Sequence, residues 1–350
     1  MRSITALPAA RRAAAVAGTL AAIVALAACG SSSSSGGASS SAAAGNAPAS
    51  SASSSGSSKH FVVGSVVNDL SNPFLATMAK AEQAEAAKDG ITLHVVSGSA
   101  GGTISIGQQI SAVQQFISQH VNLILLTPSD PKAIVPAVKL ANQANIPVIA
   151  VNTRVASGAK VVTFVGDDDS QYGVQEAKLV AQAIGGKGNV ALLEGVLGDS
   201  PEVLRTNAIK ATLAKYPNIH IVTSMVDNWT NPMNISDTQN LLSKYGNSLA
   251  AVVAEGPEMY AGAKVARSKG NSTTKFVAGD YSTPVEAAIK TGALYGTVNQ
   301  DPALEGQMGV QYAQDYLTGK QSAIKTPQSF IPLPLVTSKN VDDIKAKWSS

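Results

Sequence analysis

The sequence predicts an α/β protein of two doubly wound, parallel-sheet lobes. From residue 61 onward, short and continuously apolar segments alternate with longer helical patterns. Continuously apolar strands are typical of parallel sheets that helices cover on both faces. The number of strand–helix units exceeds what one sheet holds comfortably, which favours two domains. A chain of 350 residues is long enough for both.

The predicted elements fall into two series. The first series has strands at 61–67, 93–97, 123–127 and 147–151, and helices at 74–88, 104–120 and 132–144. The second series has strands at 161–165, 190–194, 219–226, 250–254, 275–279 and 294–298. Its helices are predicted at 170–184, 201–215, 235–245, 258–268, 284–291 and 304–317. The run Asp167-Asp168-Asp169 supplies the expected N-cap for the helix at 170–184.

Residues 1–29 predict a lipoprotein signal peptide. A positively charged start precedes an apolar run at 13–28 that is too short for a comfortable membrane span. The run ends in Leu-Ala-Ala-Cys-Gly, which resembles a bacterial lipobox and implies lipid attachment to Cys29. The alternative is an ordinary signal peptide, but the only cysteine stands where lipidation needs it. Residues 30–59 are almost wholly Ser, Ala and Gly, which predicts a flexible tether.

Polar side chains and aromatic rings cluster in the loops that follow the predicted strands. In open parallel sheets, ligands bind outside the carboxyl ends of the strands. Planar polar groups can pair with the hydroxyls of a sugar, and rings can pack on its C–H faces. The same residue types also make ordinary turns, which is the better explanation for any single loop. For the whole set, we predict a site for a polyhydroxylated ligand.

Composition and motifs argue against several other classes of protein. The net charge is only +3, and no Lys/Arg run suggests nucleic-acid binding. A single cysteine excludes an internal disulfide framework and a Cys-rich metal site. The four histidines have no metal-binding spacing, and no nucleophile elbow, phosphate loop or dinucleotide fingerprint is present. We therefore expect no catalytic residue, cofactor or metal.

Three segments resemble periplasmic ribose-binding proteins and their sugar-binding relatives. They are Asn72-Pro73-Phe74, the stretch LILLTP at 123–128 and the stretch ANQANIPV at 141–148. The resemblance extends over about residues 61–335. It implies two lobes joined by three hinge crossovers, with the ligand buried between them. We expect an N-terminal lobe of residues 60–166 plus 301–332, and a C-terminal lobe of residues 167–300 plus 333–346.

The resemblance also implies ligand-binding residues on the first lobe. Asn68 and Asn72 match polar positions of the first ligand loop, and Phe74 matches an aromatic residue that stacks on the sugar. Asn152 stands where the family usually has an aspartate. Arg154 is the nearest candidate for the arginine that follows that aspartate.

Three further candidates come from the rest of the chain. Trp229 matches an aromatic position of the second lobe. Asp280 matches an aspartate after a late strand, and Gln300 matches a glutamine beside a hinge. A one-residue insertion leaves either Thr153 or Arg154 at the place of the family arginine, and the sequence does not decide between them.

The sequence departs from the family pattern at several positions. Leu75 replaces the second aromatic residue of a pair, and Gly256 stands where an asparagine is expected. Val203 occupies the place of a ligand arginine, which leaves Arg205 as a helix-surface or structural residue. Ribose itself is therefore not assumed as the ligand. Compensating contacts could come from Tyr281, Glu202, Glu255 or Glu258, although Glu258 fits equally well as a helix-start charge.

Together these features predict a monomeric, lipid-anchored solute-binding protein outside the cell membrane. It would close on a sugar or polyol as a hinged clamp and present it to the permease subunits of an ABC importer. A protein that feeds a receptor and a binder of a non-sugar solute remain alternatives. A sugar-responsive transcription regulator would need a DNA-binding motif before the first lobe, where this chain has a signal peptide and a tether.

Overall fold

The structure is a computed structural model that describes residues 60–100 and 103–350. The predicted signal peptide, the lipid-attachment site Cys29 and the tether lie outside these residues. Among the helices of the described part of the chain, none has both the length and the apolar character of a membrane span.

Strands and helices alternate along the described chain. The strands are β1 Val62–Val67, β2 Thr92–Ser97, β3 Ser99–Ala100, β4 Thr103–Ile104, β5 Leu123–Leu126, β6 Val148–Val151, β7 Phe164–Gly166, β8 Lys187–Glu194, β9 Asn218–Val226, β10 Leu249–Ala254, β11 Lys275–Gly279, β12 Gly296–Val298, β13 Gln328–Phe330 and β14 Leu335–Thr337. The helices are α1 Pro73–Lys88, α2 Ile106–Ser118, α3 Val135–Gln143, α4 Asp169–Ala183, α5 Ser200–Leu213, α6 Asn231–Tyr245, α7 Met259–Ser268, α8 Thr283–Lys290 and α9 Pro302–Leu317.

The strands form two six-stranded sheets and one small hairpin of β3 and β4. The first sheet has the order β13-β7-β6-β5-β1-β2, and the second has the order β14-β12-β11-β10-β8-β9. All pairs are parallel in the first sheet, and only β14 runs antiparallel in the second. The chain crosses between the sheets after β7, after β12 and after β13. The predicted fold of two parallel-sheet lobes with three crossovers is confirmed.

The apolar strands are buried on both faces, as the sequence pattern predicts. In β5, Leu123 and Leu125 pack with α1 and α9 on one face of the first sheet. Ile124 and Leu126 point to the opposite face and pack with α2 and α3. Successive side chains of a strand alternate between faces, so a strand covered on both sides needs an apolar residue at every position.

The late start of one predicted helix has a local cause. Helix α3 begins at Val135 rather than at 132, because the Asp130 carboxylate accepts the N–H groups of Lys132 and Ala133 and holds a turn there. The N-cap expected in the aspartate run is confirmed at Asp168, whose Oδ1 accepts two N–H groups at the start of α4.

Besides the hairpin strands β3 and β4, two short strands, β13 and β14, were not predicted from the sequence. Each has three residues and lies in a proline-rich stretch, which weakens any strand pattern. Each is also one of the two edge strands of its sheet. Prolines are tolerated next to edge strands because one side of such a strand has no ladder to complete.

A buried carboxyl lies between α1 and β1. The Ser65 hydroxyl donates to Oε2 of Glu82 at 2.7 Å, and Oε1 has no partner among the described residues. Burial raises the pKa of Glu82 from 4.5 to about 8, against the opposing effect of the Ser65 hydrogen bond. The folded protein therefore holds this proton at neutral pH, whereas the unfolded chain releases it. Its contribution to stability is fully present below pH 4.5 and is lost as the pH rises through about 8.

Replacing Glu82 by glutamine, which mimics the protonated carboxyl, tests this pH dependence. We expect Glu82→Gln to leave the Tm close to that of the wild type at pH 4.5 and to raise it at about pH 9. Thermal unfolding followed by circular dichroism across this range measures the difference. Glu85→Gln is the control, because Lys88 and Gln311 lower the pKa of that carboxyl and no gain is expected. A Tm difference that is constant with pH would contradict the prediction.

Candidate functional site

A cleft of about 310 Å³ lies where loops from the carboxyl ends of both sheets meet. The first lobe contributes residues from the loops after β1 and β6, and the second contributes residues from the loops after β8, β9, β10 and β11. Seven of the predicted site residues line this cleft: Asn68, Asn72, Phe74, Asn152, Trp229, Asp280 and Gln300.

Arg154 is the exception among the predicted site residues. Its Nη1 donates to Oε1 of Gln328 at 2.9 Å, and its guanidinium lies 4.0 Å from the centroid of the Phe164 ring. These contacts hold it at the edge of the first sheet, where it does not line the cleft. Thr153 lines the cleft instead, and its hydroxyl donates to the carbonyl of Pro128 at 2.7 Å. Of the two residues between which the sequence does not decide, the structure places Thr153 in the cleft and Arg154 outside it.

The loop after β1 positions two asparagines and a ring. Asn68 is buried, and its Oδ1 has no partner among the described residues. Asn72 caps α1, because its Oδ1 accepts the N–H of Phe74 at 2.9 Å. The cap directs the first turn of the helix, with the ring of Phe74, toward the cleft.

Trp348 is a cleft residue that the sequence analysis missed. Its ring meets that of Phe74 edge-on, with centroids 5.5 Å apart and an interplanar angle of 90°. The carbonyl of Trp348 accepts hydrogen bonds from the N–H and hydroxyl of Thr283, at 2.8 and 2.9 Å. The residue therefore contacts both lobes at once. It follows the last predicted helix in a polar segment, where only its aromatic character could have drawn attention.

Arg205 lies at the floor of the cleft and is the second residue that was missed. It is 4% exposed, so the alternative of a helix-surface position is wrong. Its Nε donates to Oδ1 of Asp169 at 2.9 Å, and its Nη2 donates to Oε1 of Gln300 at 2.9 Å. The guanidinium also stacks 3.7 Å from the centroid of the Tyr172 ring. Val203, at the place of the family arginine, is 41% exposed and does not line the cleft.

The hydrogen bonds continue from Arg205 to the first lobe. Gln300 donates through Nε2 to Oε1 of Glu305 at 2.8 Å and to Oδ1 of Asp167 at 3.2 Å. Oε2 of Glu305 accepts from Nδ2 of Asn152 at 3.0 Å. One buried network therefore joins a second-lobe arginine, two residues at the crossovers and a first-lobe asparagine.

Asp280 is held in place by Tyr172. The tyrosine hydroxyl donates to Oδ1 of Asp280 at 2.9 Å and accepts the N–H of the same residue at 2.6 Å. Burial raises the pKa of Asp280 to about 6, while Arg205 and the Tyr172 hydroxyl oppose the rise. The carboxyl is therefore mostly ionised at neutral pH and can accept hydrogen bonds.

A strained turn and the neighbouring Gly195 position the side chain of Trp229. Its φ is +54°, and its N–H donates to Oδ1 of Asp227 at 3.0 Å. The indole ring packs directly on Gly195, where any Cβ would overlap it. Asn152 and Asp280 also have positive φ, at +64° and +51°. Such backbone conformations cost free energy and concentrate at functional sites.

The arrangement suits reversible binding of a small polar molecule. Carboxylate and amide groups from both lobes can accept and donate hydrogen bonds, and two tryptophans and a phenylalanine offer apolar surfaces. The volume is within the usual range of small-molecule sites.

The sequence matches the family model of the periplasmic binding protein domain over residues 63–321. The xylitol-binding protein of Mycolicibacterium smegmatis is 31% identical over 68% of this chain and 67% of its own length. The ribose import binding protein of Bacillus subtilis is 31% identical over 77% of this chain and 87% of its own length. Both matches confirm the resemblance found in the sequence.

Solved structures agree with these relatives. A periplasmic solute-binding protein of an ABC transporter from Actinobacillus succinogenes, with bound D-allose, superposes with a TM-score of 0.74 and 25% identity. The alignment covers 81% of this chain and all of the other. The Caulobacter myo-inositol binding protein gives a TM-score of 0.75 with 25% identity, over 83% of this chain and 97% of the other. This chain is a member of the periplasmic binding protein family, with the two-lobed fold of its sugar-binding relatives.

Proposed function

We propose that this chain binds a sugar or polyol between its lobes and delivers it to an ABC importer outside the cell membrane. The observation that carries the proposal is the convergence of polar side chains from both lobes on one cleft that aromatic rings also line. Relatives of similar sequence and fold are named for binding ribose, xylitol and myo-inositol. In this function the protein binds and releases its ligand without catalysis.

A hinged clamp is the mechanism that this geometry supports. A ligand that touches Asn68 and Asn152 on one lobe and Trp229 and Asp280 on the other interacts more strongly with the closed form. It therefore shifts the equilibrium between open and closed lobes toward closure. Micromolar affinity requires about 8 kcal/mol, which a stacked ring and several charge-assisted hydrogen bonds can supply. The permease subunits would then recognise the surface formed by two closed lobes.

We further propose that the mature protein is a monomer attached to the membrane by a lipid on Cys29. The support is the positively charged and apolar start of the chain, the lipobox-like sequence and the following Ser/Ala/Gly segment. A tether of about thirty residues would let the lobes reach the permease while the lipid holds them near it.

Two of the second-lobe residues that line the cleft, Trp229 and Asp280, give the first test of the binding site. A thermal-shift screen of sugars and polyols identifies a ligand, and titration calorimetry then measures its affinity. We expect Trp229→Ala and Asp280→Asn each to weaken binding about tenfold or more. Asparagine keeps an acceptor for the Tyr172 hydroxyl, so the Tm of the ligand-free protein should change little. Arg154→Gln is the control and should bind normally, and wild-type affinity in both cleft variants would exclude this cleft as the site.

Trp348 gives a second and independent test. We expect Trp348→Ala to weaken binding of the same ligand about tenfold, because the variant removes a ring from the cleft wall and the support of Phe74. Phe330→Ala is the matched control, since that ring is 40% exposed on edge strand β13. An equal effect of the two substitutions would contradict a role for Trp348 in the site.

The lipid anchor is tested with the full-length chain in a bacterial host. We expect Cys29→Ser to abolish incorporation of labelled fatty acid and to shift the protein from the membrane fraction to a soluble one. Serine lacks the thiol to which the lipid is attached. Ser32→Ala, in the neighbouring segment, should remain lipidated. Fatty-acid labelling of the Cys29→Ser variant would disprove attachment at this residue.

A further inference from the structure

Residues 344–350 form a strap whose backbone is fastened to the second lobe. The N–H of Ala346 donates to Oε2 of Glu286 on α8 at 2.8 Å. The carbonyl of Trp348 accepts both the N–H and the hydroxyl of Thr283, the first residue of the same helix. Ala346 also packs against the buried apolar cluster of the second lobe. The strap therefore takes its backbone position from α8.

The side chains at the far end of the strap lie on the first lobe. The ring of Trp348 belongs to the buried apolar cluster of that lobe, together with Phe74 and Leu75 of α1. Nζ of Lys347 lies 2.5 Å from Oδ2 of Asp301, the N-cap of α9, and α9 packs on the first sheet. The strap thus crosses from one lobe to the other, and Trp348 makes the crossing.

This crossing forms a wall on one side of the cleft. Trp348 lines the cleft and extends from Thr283 on the second lobe to Phe74 on the first. It is only 6% exposed, and it is held at its backbone as well as at its ring. Moving the ring aside would break an aromatic contact and expose apolar surface, both of which cost free energy. The wall is therefore a fixed boundary of the ligand space.

The space behind this wall is small. The cleft has a volume of about 310 Å³. Small-molecule sites range from about 300 to 1,000 Å³, so this cleft is near the lower limit. A second sugar ring joined to a bound one needs additional space, and on this side of the cleft the indole ring of Trp348 occupies it.

We propose that Trp348 is a specificity-determining residue, which excludes ligands that extend beyond one sugar ring or one short polyol chain. The inference rests on the proposed function and narrows its ligand class. A hydroxyl of the bound ligand that faces the indole ring cannot carry a bulky substituent, because the substituent would overlap a closely packed side chain. Exclusion by overlap is a common source of specificity. The same ring contacts the ligand that fits.

Pairs of probes that share one unit test this exclusion. Titration calorimetry compares glucose with cellobiose and maltose, galactose with lactose and melibiose, xylose with xylobiose, ribose with uridine, sorbitol with maltitol, and myo-inositol with galactinol. For each single unit that the wild type binds, we expect the extended partners to bind about a hundredfold more weakly or not at all. In Trp348→Ala, the single unit should lose about tenfold in affinity, and at least one extended partner should gain about tenfold or more.

Two further variants separate exclusion by Trp348 from other effects. Trp348→Phe keeps a smaller ring beside Phe74 and should give a smaller gain in the same direction, which decides the matter where Trp348→Ala does not fold. Trp229→Ala removes the other tryptophan of the cleft, whose ring packs on Gly195 and Gly256 of the second lobe. It should weaken binding of the single unit without any gain for the extended partners.

The outcomes distinguish this inference from the proposed function. Equal affinity of the wild type for a single unit and its extended partners would overturn exclusion by Trp348, and so would the absence of any gain in the Trp348 variants. An equal gain in Trp229→Ala would show a general enlargement of the cleft and overturn the assignment to Trp348. In these cases the proposed function stands. Failure of every single unit to bind the wild type would overturn the proposed function itself.

Discussion

The geometry of the cleft depends on the contacts that the buried guanidinium of Arg205 makes. A charge taken out of water is tolerated only with partners in good geometry, here Asp169 on α4 and Gln300 after β12. Because α5 carries the arginine, these contacts fix two helices and a crossover relative to one another. Tyr172, against which the guanidinium stacks, in turn orients Asp280. The side chains at the floor and in one wall of the cleft are thus positioned by the same guanidinium.

Most of the fold could be predicted from the sequence, because a strand that is buried on both faces of its sheet has a continuous run of apolar residues. Strands such as β5 and β6 are apolar at every position, and helices of ordinary length separate them. The edge strands β13 and β14 carry no such signal, because each has only three residues and lies in a proline-rich stretch. The same limit explains why the first residues of α3 were assigned to a helix although the Asp130 side chain stabilises a turn there.

The site residues could be predicted where they directly follow a strand, because the strand then determines their position. Asn68, Trp229 and Asp280 follow strands directly, so topology alone brings them to one edge. Arg154 shows the limit of this reasoning, because a side chain two residues beyond Asn152 can turn toward the sheet edge and stack on a ring. Trp348 was not predicted as a cleft residue for a different reason. No periodic pattern in the sequence connects the C-terminal segment to the cleft. Contacts of this kind arise only from tertiary packing.

The C-terminal segment has a practical consequence for handling the protein. Trp348 is two residues from Ser350, and its carbonyl is tied to Thr283 while Ser350 shares a hydrogen bond with Ser282 at 2.7 Å. A fluorescent reporter attached at residue 350 would therefore sit in the cleft wall and disturb these contacts. The Ser/Ala/Gly stretch before residue 60 is the safer point for a fusion, because it lies ahead of the first strand.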